Sequence, residues 1–316
     1  MAFKVLVSAP YMQPVPEKYR AILEDNGVEI IVHTVEERMN EDDLLSIISD
    51  IDGVISGDDE FTERVFKEAK KLKVISKWGT GIDSINQSAA KVHGVAIRNT
   101  PGAFTVPVAD SVLGYILSFA RKLPWMNEHM HDGNWEKIPG MSLSEATLGI
   151  IGVGDIGKAV ATRASTFGMR LLGCDIVDMP EDFLSLTGIK MVSKEELLKE
   201  SDFVSLSSDL NPSSHHIMSV EEFKLMKKTA ILLNLARGPL VDEPTLVAAL
   251  QAGEIAGAAL DVFENEPLPK RSPLREFSNV MLAPHNSNSS PGAWERVHES
   301  TVKHLLEELD KAKETK

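Results

Sequence analysis

One run of residues constrains this chain more than any other: Leu148-Gly149-Ile150-Ile151-Gly152-Val153-Gly154-Asp155-Ile156-Gly157. A short apolar, β-branched stretch leads into G-x-G-x-x-G. A helical pattern follows from Lys158 to Phe167 and is closed by Gly168. A second apolar run, Met169 to Cys174, ends on Asp175. Each glycine has its own physical task. Gly152 permits a tight turn, Gly154 lets a pyrophosphate approach the backbone, and Gly157 lets the new helix lie close to its strand. The helix N-terminus then faces the phosphates with unpaired N–H groups and a partial positive charge. Asp175 falls 18 residues after Gly157, where a carboxylate can take ribose hydroxyls. The predicted unit is strand, turn, helix, strand, and its predicted ligand is a dinucleotide.

The same acid selects the cofactor. Asp175 is followed by Ile176, Val177 and Asp178, with no Arg or Lys to neutralise a 2′-phosphate. A carboxylate repels that phosphate, so NAD is expected over NADP.

The flanking sequence continues the alternation. Before the turn, strands are predicted at Phe3–Val7, Val28–Val32, Gly53–Ile55, Leu72–Ser76 and Val95–Arg98, with helices over 18–26, 42–49, 64–71 and 84–93, and Thr62 as an N-cap. After Asp175, Ser193 and Ser219 open capping boxes with Glu196 and Glu222. Strands follow at 203–206, 229–233, 255–260 and 280–282, a helix at 243–252, and a terminal amphipathic helix at 293–309. Strands alternating with helices imply parallel sheets covered on both faces. An α/β domain thus exists before the dinucleotide unit begins. Asn99-Thr100-Pro101-Gly102 is a candidate hinge. The expected fold class is α/β, with two doubly wound parallel-sheet lobes: a Rossmann NAD domain, residues 100–288, inserted into a flavodoxin-like substrate domain made of 1–99 and 289–316. Phe104 to Arg121 reads as a long, nearly all-apolar helix, expected to be buried between domains or against a second subunit. The stretch from Leu123 to Gly140 looks like an arm with apolar surface to hide.

Composition excludes several classes. A net charge of −14 argues against nucleic acid or an anionic membrane as partner. No apolar run approaches the roughly 20 residues that span a bilayer. The single cysteine, Cys174, forms no internal disulfide, and no cationic, apolar signal segment opens the chain, so a cytoplasmic location is expected. His129, His131, His215 and His216 lack ligand spacing with Cys or Glu, so no metal is expected.

Three segments carry residue types that secondary structure does not explain. Each directly follows a predicted strand, at the edge where doubly wound sheets bind ligands. They are Asn234-Leu235-Ala236-Arg237-Gly238-Pro239-Leu240-Val241-Asp242-Glu243, Asp261-Val262-Phe263-Glu264-Asn265-Glu266-Pro267, and Ala283-Pro284-His285-Asn286. One Arg, one carboxylate and one His at three strand ends suit hydride transfer at a 2-oxo acid. A guanidinium grips a carboxylate bidentately and polarises the adjacent carbonyl. An imidazole delivers a proton as hydride arrives, and a neighbouring carboxylate fixes its tautomer. Glu264 competes with Glu266 for that partnership, and spacing favours Glu266.

These motifs, in this order and over nearly the whole chain, resemble the D-isomer-specific 2-hydroxyacid dehydrogenase family, in its phosphoglycerate dehydrogenase-like branch without a regulatory domain. The resemblance implies that Arg237 binds the substrate carboxylate and carbonyl, that His285 is the acid/base, and that Glu266 is its partner. It implies cofactor contacts from Thr80, Gly152, Gly154, Asp155, Ile156, Gly157, Asp175, Ser208, Leu235, Ala236, Asp261 and Asn288. Asp261 would hold the nicotinamide carboxamide. Lys77-Trp78-Gly79-Thr80-Gly81 looks like the family's substrate loop, which grips the carboxylate through backbone N–H groups. Trp78 in that loop is either packing or a lid. The likeness further implies a homodimer built on residues 102–145, and a small 2-oxo or 2-hydroxy acid as the partner molecule.

The chain departs from the family pattern at three places. Ser207-Ser208-Asp209 stands where His-x-Pro is common. Asp110 stands where Glu is usual. Ser56-Gly57-Asp58-Asp59-Glu60 is acidic where the phosphoglycerate branch tends to have an arginine, although Lys77 could meet a second anion. D-3-phosphoglycerate dehydrogenase activity is the alternative reading, and an NAD-sensing corepressor-like binding protein is the alternative of another class.

Overall fold

Twelve strands form two parallel sheets in a computed structural model that describes residues 2–314. Met1, Thr315 and Lys316, which belong to the substrate domain expected from sequence, lie outside the described residues. The chain divides into two compact units. One runs up to Phe104 and resumes at Ser289, and the other is Thr105–Asn288.

In the first unit the strands are β1 (Phe3–Val7), β2 (Val28–Val32), β3 (Gly53–Ser56), β4 (Val74–Lys77) and β5 (Ala96–Arg98). They pair in the order β2-β1-β3-β4-β5, the doubly wound order of flavodoxin-like sheets. β3 and β4 are buried along their whole length, so they read as continuous apolar runs rather than alternating ones. Alternate residues still go to opposite faces. Leu6, Val54 and Ile75 face a core with Leu44, Phe61, Val65 and Phe66. On the other face Gly53 gives room to Leu305, and Ser76 Oγ donates to Thr301 O at 2.8 Å. Both partners belong to the long helix Pro291–Glu314.

The N-caps predicted from sequence form. Thr62 accepts from Val65 N, Ser193 accepts from Glu196 N, and Ser219 and Glu222 make a reciprocal box. The helix expected over 42–49 is shorter, Glu41–Leu45, followed by a 3-10 turn at Ile48–Asp50. The segment after the candidate hinge stays with the first unit. Thr100 N donates to Gly79 O at 2.8 Å, and Phe104 packs on Trp78 at 5.5 Å between ring centroids.

The second unit has β6 (Thr147–Ile151), β7 (Arg170–Cys174), β8 (Lys190–Met191), β9 (Phe203–Leu206), β10 (Ile231–Asn234), β11 (Gly257–Leu260) and β12 (Val280–Leu282). Their order is β12-β11-β10-β9-β6-β7-β8. The winding reverses between β6 and β9, and open α/β sheets bind ligands at that switch point. β8 and the preceding helix Glu181–Thr187 carry too little apolar periodicity to be seen in sequence.

The long helix Thr105–Arg121 is not apolar all round. Its cover lies within its own unit, on the helix Asp155–Thr166. Val108, Val112, Leu113, Ile116 and Phe119 are buried, while Val106, Asp110 and Gly114 are exposed, so it is striped rather than apolar all round. Phe119 packs against Gly257 and Trp125, and Trp125 Nε1 donates to Ser278 O at 3.0 Å. Beyond it, Leu123, Met130, Trp135 and Met141 present apolar side chains to solvent. Among the described residues no helix is long and apolar enough to cross a membrane.

Candidate active site

The turn after β6 is built as its glycines require. Gly152 has φ +89°, and a Cβ there would lie 2.4 Å from Ser208 N. A Cβ on Gly157 would lie 2.2 Å from Gly152 O, so the helix presses onto the turn. Gly154 faces open space. It caps the helix Asp155–Thr166 with no side-chain oxygen on the first N–H groups. Those donors, with the positive end of the helix behind them, form an anion site. Asp175 closes it. Its Oδ2 accepts from Val153 N at 2.6 Å and its Oδ1 from Val177 N at 3.0 Å. Ile176 and Val177 beside it are exposed. Burial pushes the Cys174 thiol up, and the Asp175 charge adds to this, which favours the inert thiol over the thiolate.

Two of the buried polar atoms without a partner belong to residues expected to meet the cofactor. Ser208 Oγ and Asn288 Oδ1 have no hydrogen-bond partner among the described residues. A buried, unsatisfied group of this kind costs about 1–3 kcal/mol. With the open Gly154 and the uncapped helix, these residues fit a dinucleotide.

The strand ends bring the polar segments together. After β10, Asn234 shapes the turn: its Nδ2 donates to Arg237 O at 2.8 Å and its Oδ1 accepts from Ala236 N at 3.2 Å. Arg237 Nη1 donates to Ala236 O at 2.9 Å. Leu235 is buried and Ala236 half-buried beside it. Gly238 lies directly on the next loop, where a Cβ would fall 1.9 Å from the Phe263 carbonyl. After β11, Asp261 is 1% exposed. Its carboxylate accepts from Asn286 N at 2.7 Å and Ser287 N at 2.9 Å, and its own carbonyl accepts from His285 N at 2.8 Å.

His285 therefore sits on a loop fixed from both sides, at φ +50°. A non-glycine residue in that region is strained and persists only where its surroundings hold it. Its Nδ1 lies 3.0 Å from Glu266 Oε2. The other Glu266 oxygen accepts from Phe263 N at 2.9 Å, so the carboxylate is oriented before it meets the ring. Both side chains are about four-fifths buried, at 19% and 18% exposure. Glu264 points elsewhere, to His216.

In the first unit, the loop after β4 carries Lys77, Trp78, Gly79 and Thr80. Lys77 is buried. Its Nζ donates to Trp78 O at 3.1 Å and lies 3.1 Å from Asp58 Oδ1. Trp78 is 3% exposed and packs on Tyr11, Phe104, Trp294 and His298. Its backbone N–H donates to Ser56 O at 2.8 Å. Gly79 turns at φ +124°, and Thr80 Oγ1 donates to Thr100 O at 3.0 Å.

Residues 113–287 match the model of the D-isomer-specific 2-hydroxyacid dehydrogenase NAD-binding domain. The chain is 38% identical over 270 residues to a glyoxylate reductase of Korarchaeum cryptofilum, covering 83% of this chain and 81% of that one. The chain belongs to the D-isomer-specific 2-hydroxyacid dehydrogenases. It is also 39% identical over 294 residues to a D-3-phosphoglycerate dehydrogenase of Methanocaldococcus jannaschii, covering 92% of this chain and 54% of that one. It thus spans about half the length of that relative. A solved D-lactate dehydrogenase from Aquifex aeolicus, complexed with NAD and lactic acid, superposes with a TM-score of 0.88 at 28% identity, covering 98% of this chain and 96% of that one. NAD is the cofactor of this dehydrogenase, and its two lobes are the family's α/β pair.

Two departures from the family pattern have a local explanation in this dehydrogenase. Asp110 pairs with Arg163 at 2.6 Å, joining the two helices that pack together. Ser207 N donates to Ile151 O, and Ser208 backs onto Gly152. Sequence reasoning missed the grip of Asp261 on the His285 loop and the turn-shaping role of Asn234. It also missed Tyr115, whose hydroxyl is pushed up by burial and by the Asp261 charge. Asn234 stands inside the N-x-A-R-G motif, which was the available signal. Tyr115 gave none beyond a polar group on an apolar helix.

Proposed function

We propose that this dehydrogenase catalyses the reversible reduction of a small 2-oxo acid to the D-2-hydroxy acid. The observation that carries the reading is the oriented His285–Glu266 pair at the sheet edge that also holds Arg237. The Gly152–Gly157 turn with Asp155, Ile156 and Asp175, together with Thr80, Ser208, Leu235, Ala236, Asp261 and Asn288, would hold the cofactor, which as NADH would supply the hydride for reduction and as NAD would accept it in the reverse direction. His285 gives a proton to the carbonyl oxygen during reduction and takes it back in the reverse direction. Glu266 keeps a proton on Nδ1, so that Nε2 is the nitrogen that exchanges. Arg237 grips the substrate carboxylate and polarises the carbonyl. Gly79 to Gly81 supply backbone donors to the carboxylate. Trp78 does not, because its N–H is taken by Ser56. In this reading Thr105–Asn288 is the NAD-binding domain and the other unit is the substrate domain.

The ammonium of Lys77 is already neutralised by Asp58, in an acidic segment with Asp59 and Glu60. This favours a substrate without a second anion, such as glyoxylate or hydroxypyruvate. The likeness to D-3-phosphoglycerate dehydrogenases supports the second reading, in which the substrate is a phosphorylated acid. NADH consumption with glyoxylate, hydroxypyruvate, pyruvate, 2-oxoisocaproate and 3-phosphohydroxypyruvate decides. The expected result is the highest kcat/KM for a small acid without a second charge. A preference for 3-phosphohydroxypyruvate would install the second reading. Silence with every acid, while NADH binds, would sink both in favour of an NAD sensor. The exposed apolar side chains of the arm support a homodimer through residues 102–145, and a monomeric mass by light scattering would refute it. The cytoplasm is the proposed setting for a chain with one thiol and no disulfide.

A further inference from the structure

We propose that His216 is a positioning residue for this reaction, tying together the loops that carry Arg237 and Glu266. The proposal rests on the roles assigned above to His285, Glu266 and Arg237. His216 lies in the loop after β9 and, like His285, is held in the left-handed region, at φ +51°. A non-glycine residue stays there only where several contacts fix it. The backbone supplies the first set. His216 N donates to Pro239 O at 2.8 Å, Met218 N to Leu240 O at 3.1 Å, and Asp242 N to Met218 O at 3.0 Å. Residues 216–218 therefore run alongside 239–242, the segment that immediately follows Arg237.

The side chain supplies the second set. Nε2 lies 2.6 Å from Glu264 Oε1, and Nδ1 lies 3.8 Å from Asp242 Oδ2. The ring also packs on His215 at 3.9 Å between centroids. Glu264 N in turn donates to Glu243 Oε2 at 3.4 Å. Glu264 is two residues from Glu266 and adjacent to Phe263, whose N–H orients the Glu266 carboxylate. The same Phe263 carbonyl is the surface on which Gly238 rests, one residue from Arg237. A displacement of Glu264 thus moves the donor that aims Glu266 and the floor beneath Arg237. His216 touches neither of these residues and acts through Glu264.

The experiment is a double-mutant cycle measured by NADH consumption with the best acid of the panel. His216→Ala should lower kcat about 10-fold and leave the Kd for NADH unchanged. In a Glu266→Gln background the same change should cost less than about 2-fold, because coupled residues are not additive. His216→Gln retains an amide N–H for Glu264 and should recover most of the rate. Glu264→Ala should reproduce His216→Ala from the other side of the contact, and it keeps the test open if His216→Ala does not fold. Wild-type kcat in His216→Ala would overturn the proposal, as would equal losses in both backgrounds or no rescue by Gln. His285→Ala is the control. If it retains activity, the acid/base reading fails and the proposal falls with it. If it is inactive while His216→Ala is normal, the proposal alone fails.

Discussion

Two histidine–glutamate pairs stand at one edge of the seven-stranded sheet, and their glutamates are two residues apart on the same loop. Both histidines adopt nearly the same left-handed backbone, at φ +50° and +51°. Their wiring differs. His285 offers Nδ1 to Glu266, whereas His216 offers Nε2 to Glu264 and turns Nδ1 toward Asp242. The His285 pair is also the drier one, with the ring 19% exposed against 34%. Glu264 and Asp242 on opposite nitrogens of His216 suit a fixed tie, while Glu266 on Nδ1, in a drier place, suits a ring that exchanges protons at Nε2. In the proposed reading, similar residues on a similar backbone divide into a chemical pair and a mechanical one.

The sharpest test of this division is His285→Ala. It should lower kcat about 10²- to 10⁴-fold, the usual range for a general acid or base, with NADH affinity preserved in fluorescence titration. A rate within a few-fold of wild type would erase the distinction. Next in size is Glu266→Gln, which keeps the volume but not the charge. It should cost a part of that effect, about 10-fold or more in kcat, with a smaller change in KM for the acid. If KM rises and kcat holds, Glu266 serves binding rather than the proton.

Gly238→Ala strikes the common support of both pairs. Its Cβ has no room against Phe263, so stability should fall by about 1–3 kcal/mol in denaturant unfolding, with activity reduced at temperatures where the fold persists. An unchanged midpoint would mean that the two loops are not pressed together in solution. The smallest effect concerns Glu243, whose carboxyl is pushed up by burial, with the Glu264 charge adding to it. A carboxyl raised in the folded state is ionised at a cost to folding. That cost is absent below the ordinary carboxylate range and complete once pH exceeds the raised value. Glu243→Gln should therefore raise the melting temperature slightly at neutral pH and not in acid. A gain of equal size at both pH values would point to packing instead.

Much of this is legible in the amino-acid sequence alone. The glycine turn, the ordering of strands and helices, and the placing of Arg, Glu and His after three strands all follow from local pattern, because turns and strand ends have strict backbone requirements. What stays hidden depends on distance in space. β8 is two residues long and leaves no periodicity. The cover of the helix Thr105–Arg121 cannot be chosen from its own apolar face. The choice between Glu264 and Glu266 rests on spacing alone, and nothing in the sequence reveals that Glu264 faces a histidine far earlier in the chain. Lys77 reads as an anion site as long as the neighbouring Asp58 is unseen.

The helix Pro291–Glu314 lies against β3, β4 and β5 and brings Leu305 onto Gly53 and Thr301 onto Ser76. This has a consequence for biosynthesis. Domains generally fold as units while the chain is still emerging from the ribosome. Residues 105–288 possess their whole sheet once Asn288 has been made. The first five strands, although translated first, have the helix Glu17–Asp25 beside β2 but await Pro291–Glu314 to cover β3, β4 and β5 on that face. The half that begins first is therefore the half whose sheet is covered last.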